Sequence, residues 1–360
     1  MSSAHLNALL LAEQLRERFV GLAIDDHGTR DAGINNSLRS IWSSPGSQGG
    51  LLGDIWVEGA FPSKVSPETL ISLADNGKIN PTLKDLLIDN EAMPGDRPLY
   101  EHQAESIRVA QEEASGNPVL VVTAGTGAGK TECFLLPMLQ RIFSTPRSSK
   151  KGMRALVLYP LNALVNDQVE RLHAWLKGQN DVTLFAFTGE TPENHTDAKN
   201  EKLLYDISRI QSREQARGLC DHEGNKTVGG PQPDIVITNY AMLEFMLARP
   251  QDGCFFTSDL DVIILDEAHL YNGTLASEIT MLLRRVMLRC KKKPKQILQI
   301  ATSATLGGTS NELKEFASTL FTRDVADTFH VVGKLVRPEF PEPVPATNPL
   351  NIQEFLGDYK

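Results

Sequence analysis

The chain has 360 residues, of which 41% are hydrophobic and 22% are charged, as is usual for a globular protein. Its formal net charge of −9 is opposite in sign to that of a typical nucleic-acid-binding domain, so contacts with nucleic acid would use local cations or backbone amides. The four cysteines form no C-x-x-C pair, which argues against a disulfide framework, and no apolar run is long enough to cross a bilayer. These features exclude a membrane-spanning protein and favour a cytoplasmic one.

Residues 1–95 are expected to form a mostly helical accessory segment. Apolar residues between positions 6 and 19 recur at helical spacing, and charged residues follow the short apolar patch at once. This arrangement favours an amphipathic helix over a signal peptide. A Gly- and Ser-rich turn region at 43–50 follows the helix.

From about residue 96 the pattern changes to short apolar runs that are separated by segments with helical periodicity. Runs of this kind are typical of strands in a parallel sheet that is covered on both faces. Alternating strands and helices predict an α/β, doubly wound fold, in which ligands bind at the carboxyl ends of the strands. The predicted strands are 119–123, 155–159, 182–187, 234–238, 262–265 and 297–302.

Two further regions complete the predicted domain organisation. Residues 190–233 form a long polar insertion between two of the strands. Residues 326–360 have five prolines between Pro338 and Pro349, which is typical of a semi-rigid linker. The main domain is therefore expected to span residues 96–325.

A Gly-rich loop, Ala-Gly-Thr-Gly-Ala-Gly-Lys-Thr, occupies residues 124–131 between the first strand and a helical pattern. Its glycines would let backbone amides turn inward around phosphate oxygens, and the helix N-terminus would add a positive dipole. Lys130 would lie at the β- and γ-phosphates, and Thr131 would offer its hydroxyl to Mg²⁺. The loop therefore predicts a site for ATP and Mg²⁺ that is formed by Thr126, Gly127, Ala128, Gly129, Lys130 and Thr131.

Asp266 and Glu267 directly follow the strand at 262–265, at its carboxyl end. Two adjacent carboxylates at the end of a buried strand are costly unless a cation is bound there, and Mg²⁺ with ATP would supply it. Asp266 would hold the metal, and Glu267 would orient or deprotonate the attacking water. Together with Lys130, these two residues are the predicted catalytic set.

The order of short motifs along the chain resembles that of superfamily 2 helicases of the DEAD/DEAH-box type. Residues 124–131 match motif I, the Asp-Glu-Ala-His sequence at 266–269 matches motif II, and Ser-Ala-Thr at 303–305 matches motif III. The resemblance implies a P-loop NTPase with a RecA-like lobe that acts as an ATP-dependent helicase or translocase. Motifs Ia, Ib and Ic are similar to residues 159–164, 188–190 and 238–243.

The resemblance also implies roles for residues outside motifs I and II. Residues 99–103 resemble the adenine-reading segment, in which Gln103 would hydrogen-bond the adenine edge and Tyr100 would pack nearby. His269, Ser303 and Thr305 would couple the nucleotide state to nucleic acid. A strand-binding face would hold the nucleic-acid backbone through amides and hydroxyls. Its residues would be Pro160, Asn162, Thr188, Gly189, Thr238 and Asn239.

In finer detail, residues 188–192 and 316–321 resemble bacterial DNA-repair and phage-defence helicases with a C-terminal cysteine-tetrad domain, which implies DNA as the nucleic acid. The insertion at 190–233 is longer than that group would have, and the sequence has no cysteine tetrad. After Thr305 the arginines are Arg323 and Arg337, and no Gln-x-x-Gly-Arg-x-x-Arg motif supplies arginine fingers. We therefore expect one ATP-binding lobe that needs a second RecA-like lobe for efficient hydrolysis and unwinding.

Three functions are consistent with these motifs. The first is a DNA helicase or translocase lobe, which the intact set of Lys130, Thr131, Asp266 and Glu267 favours. The second is a non-catalytic regulatory or interaction subunit derived from a truncated helicase, and the third is the motor portion of a restriction-type translocase.

The basic residues between 284 and 295 also have two interpretations. They form either a nucleic-acid patch or a set of cations at a helix C-terminus and in a solvated loop. We favour the second, because this loop should lie at the amino end of the next strand.

Overall fold

The computed structural model describes residues 8–44, 50–51, 61–111, 117–125, 127–145, 152–200, 209–304 and 309–336. The chain divides into two compact units, Met1–Phe61 and Pro62–Lys360. Of the predicted site residues, Thr126 and Thr305 lie outside the described residues. No helix in the described part of the chain is long and apolar enough to cross a membrane.

The first unit contains two helices, α1 (Ala8–His27) and α2 (Ala32–Trp42). The side chain of Asp31 caps α2, because its Oδ1 accepts the backbone N–H groups of Gly33 at 2.7 Å and Ile34 at 3.1 Å. Such a cap satisfies two of the amides that the first turn of a helix leaves without partners. The helical character expected for the N-terminal segment is confirmed in this unit.

The second unit is built on an eight-stranded sheet in which every neighbouring pair of strands is parallel. All six predicted strands occur, with ends within two residues of those expected. The strands from one edge to the other are β10 (Thr328–Val332), β3 (Val119–Thr123), β9 (Leu298–Ser303), β8 (Val262–Leu265), β4 (Ala155–Tyr159), β7 (Ile235–Asn239), β5 (Leu184–Phe187) and β6 (Arg209–Ile210).

Helices cover both faces of this sheet. One apolar cluster contains buried side chains of the helices between residues 70 and 175, and a second cluster contains those of the helices between residues 240 and 321. Because each strand is buried on two faces, its sequence is continuously apolar instead of alternating. The predicted α/β, doubly wound fold is confirmed. Its helices are α3 (Leu70–Asp75), α4 (Pro81–Asp89), α5 (Glu101–Val109), α6 (Lys130–Ser144), α7 (Asn162–Trp175), α8 (His195–Asn200), α9 (Arg213–Ala216), α10 (Tyr240–Ala248), α11 (Gly273–Arg289) and α12 (Ser310–Phe321).

Both predicted domain boundaries differ from the structure. Residues 62–95 belong to the second unit, because α3 and α4 bury Leu70, Leu73, Leu83 and Leu87 in its first apolar cluster. An antiparallel pair of strands, β1 (Val65–Thr69) and β2 (Pro98–Tyr100), joins this region to α5. At the other end, residues 328–332 were expected to belong to the linker, but they form strand β10, which pairs with β3 in the sheet.

The insertion at 190–233 also contributes to the fold. Its strand β6 extends one edge of the sheet, and Arg217 of the insertion forms a buried ion pair with Asp252, with Nε and Oδ1 2.8 Å apart. The insertion is therefore an integral part of the lobe.

Candidate ATP and nucleic-acid site

The Gly-rich loop connects β3 to α6, at the carboxyl edge of the sheet. Gly127 and Gly129 have φ angles of 75° and 73°, in the left-handed region that favours glycine. A Cβ atom at residue 129 would lie 2.3 Å from Nε2 of Gln103, whereas one at residue 127 would meet nothing within 4 Å. Lys130 and Thr131 are the first two residues of α6, so the loop presents the helix N-terminus as the sequence predicts.

Gln103 is buried behind this loop. Its Oε1 accepts the backbone N–H of Tyr100 at 3.0 Å, and its Nε2 donates to the carbonyl of Gly129 at 3.2 Å. The side chain expected to read adenine therefore also ties the adenine-reading segment to the phosphate loop.

His102, which the sequence analysis did not select, adds a second tie to the loop. Its Nε2 donates to the carbonyl of Ala128 at 2.7 Å. Burial lowers the pKa of His102, which favours the neutral imidazole.

A cavity of about 220 Å³ opens beside the loop and the adenine-reading segment. The guanidinium of Arg97 lies 5.9 Å from the ring centroid of Tyr100 at this cavity. Residues 92–94 line this cavity although they were expected to lie in the accessory segment. Its lining includes Met93, Pro94, Arg97, Tyr100, Gln103, Gly127 and Gly129.

Asp266 is buried at the end of β8. Its Oδ1 accepts hydrogen bonds from the hydroxyl of Thr302 and from the backbone N–H of Glu267, the latter at 2.9 Å. Burial raises the pKa of Asp266, and the hydrogen bond from Thr302 and the positive charge of Lys130 only partly oppose this effect. Carboxylate and hydroxyl oxygens are the ligands that Mg²⁺ prefers, so Asp266 and Thr131 fit such an ion.

Glu267 has a φ of 50°, a left-handed conformation that is uncommon for a residue with a side chain. Its Oε1 lies 3.2 Å from Nζ of Lys130, and its Oε2 lies 3.3 Å from Nδ1 of His269. The same His269 nitrogen lies 3.2 Å from the hydroxyl of Ser303. A continuous chain of polar contacts thus joins the Gly-rich loop, the acidic pair and the end of β9.

The residues expected to bind a nucleic-acid strand lie at the ends of β4, β5 and β7. The amide of Asn239 donates to Oδ1 of Asn162 at 2.6 Å, and its own Oδ1 accepts the backbone N–H of Met242 at 2.8 Å. Asn239 therefore links the start of α7 to the start of α10. Pro160 and Asn162 are partly exposed, and Gly189 is exposed.

Two of the predicted strand-binding hydroxyls are engaged within the protein. The Thr238 hydroxyl is buried and donates to the carbonyl of Phe187 at 2.6 Å. The Thr188 hydroxyl is also buried and accepts the backbone N–H of Glu190 at 3.3 Å. Both side chains shape their loops, so contacts with a bound strand would come from backbone groups and from the exposed neighbours.

The basic run between residues 284 and 295 lies away from this edge. Lys292 pairs with Asp261 at 3.2 Å, just before β8, and Lys295 pairs with Asp327 at 3.0 Å, just before β10. These contacts are at the amino ends of the strands, as the second interpretation of this run requires.

A family model described as DEAD/DEAH box helicase matches residues 100–313. The chain belongs to this family. Among curated proteins it is 28% identical to the Druantia protein DruE of Escherichia coli over 293 residues, which covers 58% of the chain and 16% of DruE. It is 28% identical to YprA of Bacillus subtilis, an uncharacterized ATP-dependent helicase, over 58% of the chain and 23% of YprA. The chain thus spans less than a quarter of either DEAD/DEAH-box relative.

Solved structures show the same fold. The DUF1998 helicase MrfA, solved with DNA, matches 75% of the chain and 31% of its own length at 24% identity and a TM-score of 0.50. The DEAD-box helicase Mss116, solved with single-stranded RNA and UDP-BeF, matches 75% of the chain and 46% of its own length at 19% identity and a TM-score of 0.55. The helicase-lobe fold that the motifs imply is confirmed.

Proposed function

We propose that this lobe binds ATP–Mg²⁺ at the Gly-rich loop and a DNA strand across the neighbouring strand ends, as the ATP-binding part of a helicase or translocase. The proposal is carried by the polar chain from Lys130 through Glu267 and His269 to Ser303. That chain connects the phosphate loop to the acidic pair and to the end of β9. A site built only to hold a nucleotide would have no need of it.

Each residue of the proposed ATP site has a distinct task. Lys130 leaves the carboxylate of Glu267 and neutralises the phosphates, which frees Glu267 to orient the attacking water and accept its proton. Asp266 and Thr131 hold Mg²⁺, which supplies positive charge at the phosphates when it is bound. Thr302 fixes the orientation of the Asp266 carboxylate.

Efficient turnover is proposed to need arginines from a second RecA-like lobe, in the same polypeptide or in another. Among the described residues, the lysine that forms an ion pair with the acidic pair is Lys130, whose partner is Glu267, and no arginine does so. Arg323 is buried at the amino ends of the strands, where it donates to the carbonyl of Asn117 at 2.7 Å, so its guanidinium serves the fold. Arginine fingers typically contribute about 10³–10⁵ in rate.

The choice of DNA is supported by the resemblance at 188–192 and 316–321 and by the solved DNA complex of MrfA. Mss116 was solved with RNA, so the strand-binding test compares the two nucleic acids. Neutral backbone amides and exposed polar side chains at the strand ends suit a chain of net charge −9, because such groups would contact phosphates without a basic surface.

Fluorescence anisotropy with labelled single-stranded DNA and with RNA of the same sequence tests this proposal. We expect DNA to bind more tightly than RNA, and we expect the double variant Asn162→Ala, Asn239→Ala to bind DNA at least about tenfold more weakly. The control is Lys292→Ala, Lys293→Ala in the basic run, which should change the DNA affinity less than about twofold. Loss of binding in the control instead of in the asparagine variant would contradict the proposed strand-binding face.

A further inference from the structure

A row of polar side chains crosses the carboxyl edge of the sheet, from the strand-binding loops to the ATP site. The register pairs Tyr159 with Asn239, and the last pair between β4 and β8 is Leu158 with Leu265. The backbone N–H of Asp266 donates to the carbonyl of Leu158 at 3.1 Å, so the ladder continues and places Asp266 beside Tyr159. The same register places Thr302 beside Asp266 on its other side.

Two pairs of side chains in and beside this row are hydrogen-bonded, whereas the tyrosine between them is not. Thr302 donates to Asp266, and Asn239 donates to Asn162. Tyr159 stands between these two pairs and is 1% exposed, yet its hydroxyl has no hydrogen-bond partner among the described residues. A buried hydroxyl without a partner is costly, and an ordered water between polar groups is the usual solution.

The surroundings of Tyr159 suit such a water. Burial raises the pKa of the Tyr159 phenol, and the negative charges of Asp266 and Glu267 raise it further. The phenol is therefore neutral and has a proton to donate toward these carboxylates. Tyr159 is also the residue directly before Pro160, where the predicted strand-binding loop begins.

We propose that the Tyr159 hydroxyl binds the Asp266 carboxylate through an ordered water, and that this link couples the nucleotide site to the strand-binding loop at 160–162. Tyr159 is then a positioning residue: it acts through the carboxylate that holds the metal and contacts neither ATP nor the strand. The inference rests on the proposed function, because it requires both ligands to bind this lobe.

The test compares the affinity for labelled single-stranded DNA with and without AMP-PNP–Mg²⁺, because the ratio of the two dissociation constants is the coupling factor. We expect a factor of about fivefold or more in the unmodified chain. Tyr159→Phe should bring the factor to within about twofold of one, while the AMP-PNP affinity changes less than about threefold.

The control is Ser318→Ala, which also removes a buried hydroxyl. Ser318 lies in α12, which packs in the second apolar cluster, and its hydroxyl donates to the carbonyl of Glu315 in the same helix at 2.9 Å. This variant should keep the original coupling factor. An unchanged factor in Tyr159→Phe overturns the inference and leaves the proposed function standing, whereas an unmodified chain that binds neither ligand contradicts both.

A crystal structure of the unmodified chain gives a test that does not depend on activity. The expected result is one water within about 3.2 Å of both the Tyr159 hydroxyl and the Asp266 carboxylate. A dry contact with no hydrogen bond between the two groups would overturn the inference, even if ATP and DNA bind.

Discussion

Gly127 and Gly129 have the same left-handed backbone conformation, but their surroundings differ. A side chain at either position would be strained by about 1–2 kcal/mol. At residue 129 the new Cβ would also have to displace the amide of Gln103, which donates to the carbonyl of that same residue. Substitution of Gly127 is therefore expected to cause backbone strain alone, whereas substitution of Gly129 adds a steric conflict with Gln103.

We predict that Gly127→Ala lowers the free energy of unfolding by about 1 kcal/mol and that Gly129→Ala lowers it by at least about twice as much. Urea denaturation of the nucleotide-free chain measures both values, because neither then depends on ligand affinity. Equal losses in the two variants would show that Gln103 does not pack against the loop as described.

The site residues that could be identified from the sequence are those that belong to short motifs with a recognisable order of residue types. Lys130, Asp266 and Glu267 belong to such motifs, and the structure places Lys130 and Glu267 in contact. The contact of Gln103 with Gly129 was not predictable, because the two residues are far apart in sequence and meet only when α5 packs beside the loop. Thr302 was missed for a similar reason, since its role depends on the register of β8 and β9.

At the scale of elements, the insertion at 190–233 supports the proposed strand-binding loop. Nη2 of Arg213 in α9 donates to the carbonyl of Thr188 at 2.8 Å, and its guanidinium lies 5.0 Å from the ring centroid of Phe187. Arg213 also pairs with Glu193, with Nη1 and Oε2 3.2 Å apart. A short helix of the insertion thus fixes the backbone at the end of β5.

We predict that Arg213→Ala weakens binding of single-stranded DNA by about fivefold to tenfold and leaves ATP affinity unchanged, because the Thr188 loop loses its support. Anisotropy titrations with DNA and with a fluorescent ATP analogue measure the two effects. The control is Arg209→Ala, which removes an ion pair with the exposed Glu170 and should change neither affinity by more than about twofold. Equal effects of the two variants would contradict a supporting role for the insertion.

Strands β3, β4, β5, β7, β8 and β9 were predictable because each is an apolar run beside a motif or a turn. Strand β10 was not predicted, because its five residues, Thr-Phe-His-Val-Val, lie just before a Pro-rich region that is typical of a linker. Its place is visible only in the sheet, where it pairs with β3 along all five residues. The helices α3 and α4 were assigned to the accessory segment because only tertiary packing shows that their leucines complete the first apolar cluster.

For the whole molecule, the parallel sheet explains why residues more than 170 positions apart form one site. Every strand ends at the same edge, so the ends of β3, β8 and β9 bring together the Gly-rich loop, the acidic pair and Ser303. The ends of β4, β5 and β7 continue that edge with the proposed strand-binding loops. A nucleotide and a nucleic-acid strand would therefore bind neighbouring parts of one rigid edge.

The central claim is that the Gly-rich loop and the acidic pair form a working ATP site. It is tested most directly by measuring ATP binding and turnover by the purified chain, with and without single-stranded DNA, beside Lys130→Ala and Glu267→Gln. We predict that the unmodified chain binds ATP–Mg²⁺ with slow turnover, that Lys130→Ala binds it at least about tenfold more weakly, and that Glu267→Gln retains binding and loses turnover. ATP binding that is equally strong in Lys130→Ala, or turnover that persists in Glu267→Gln, would contradict the account.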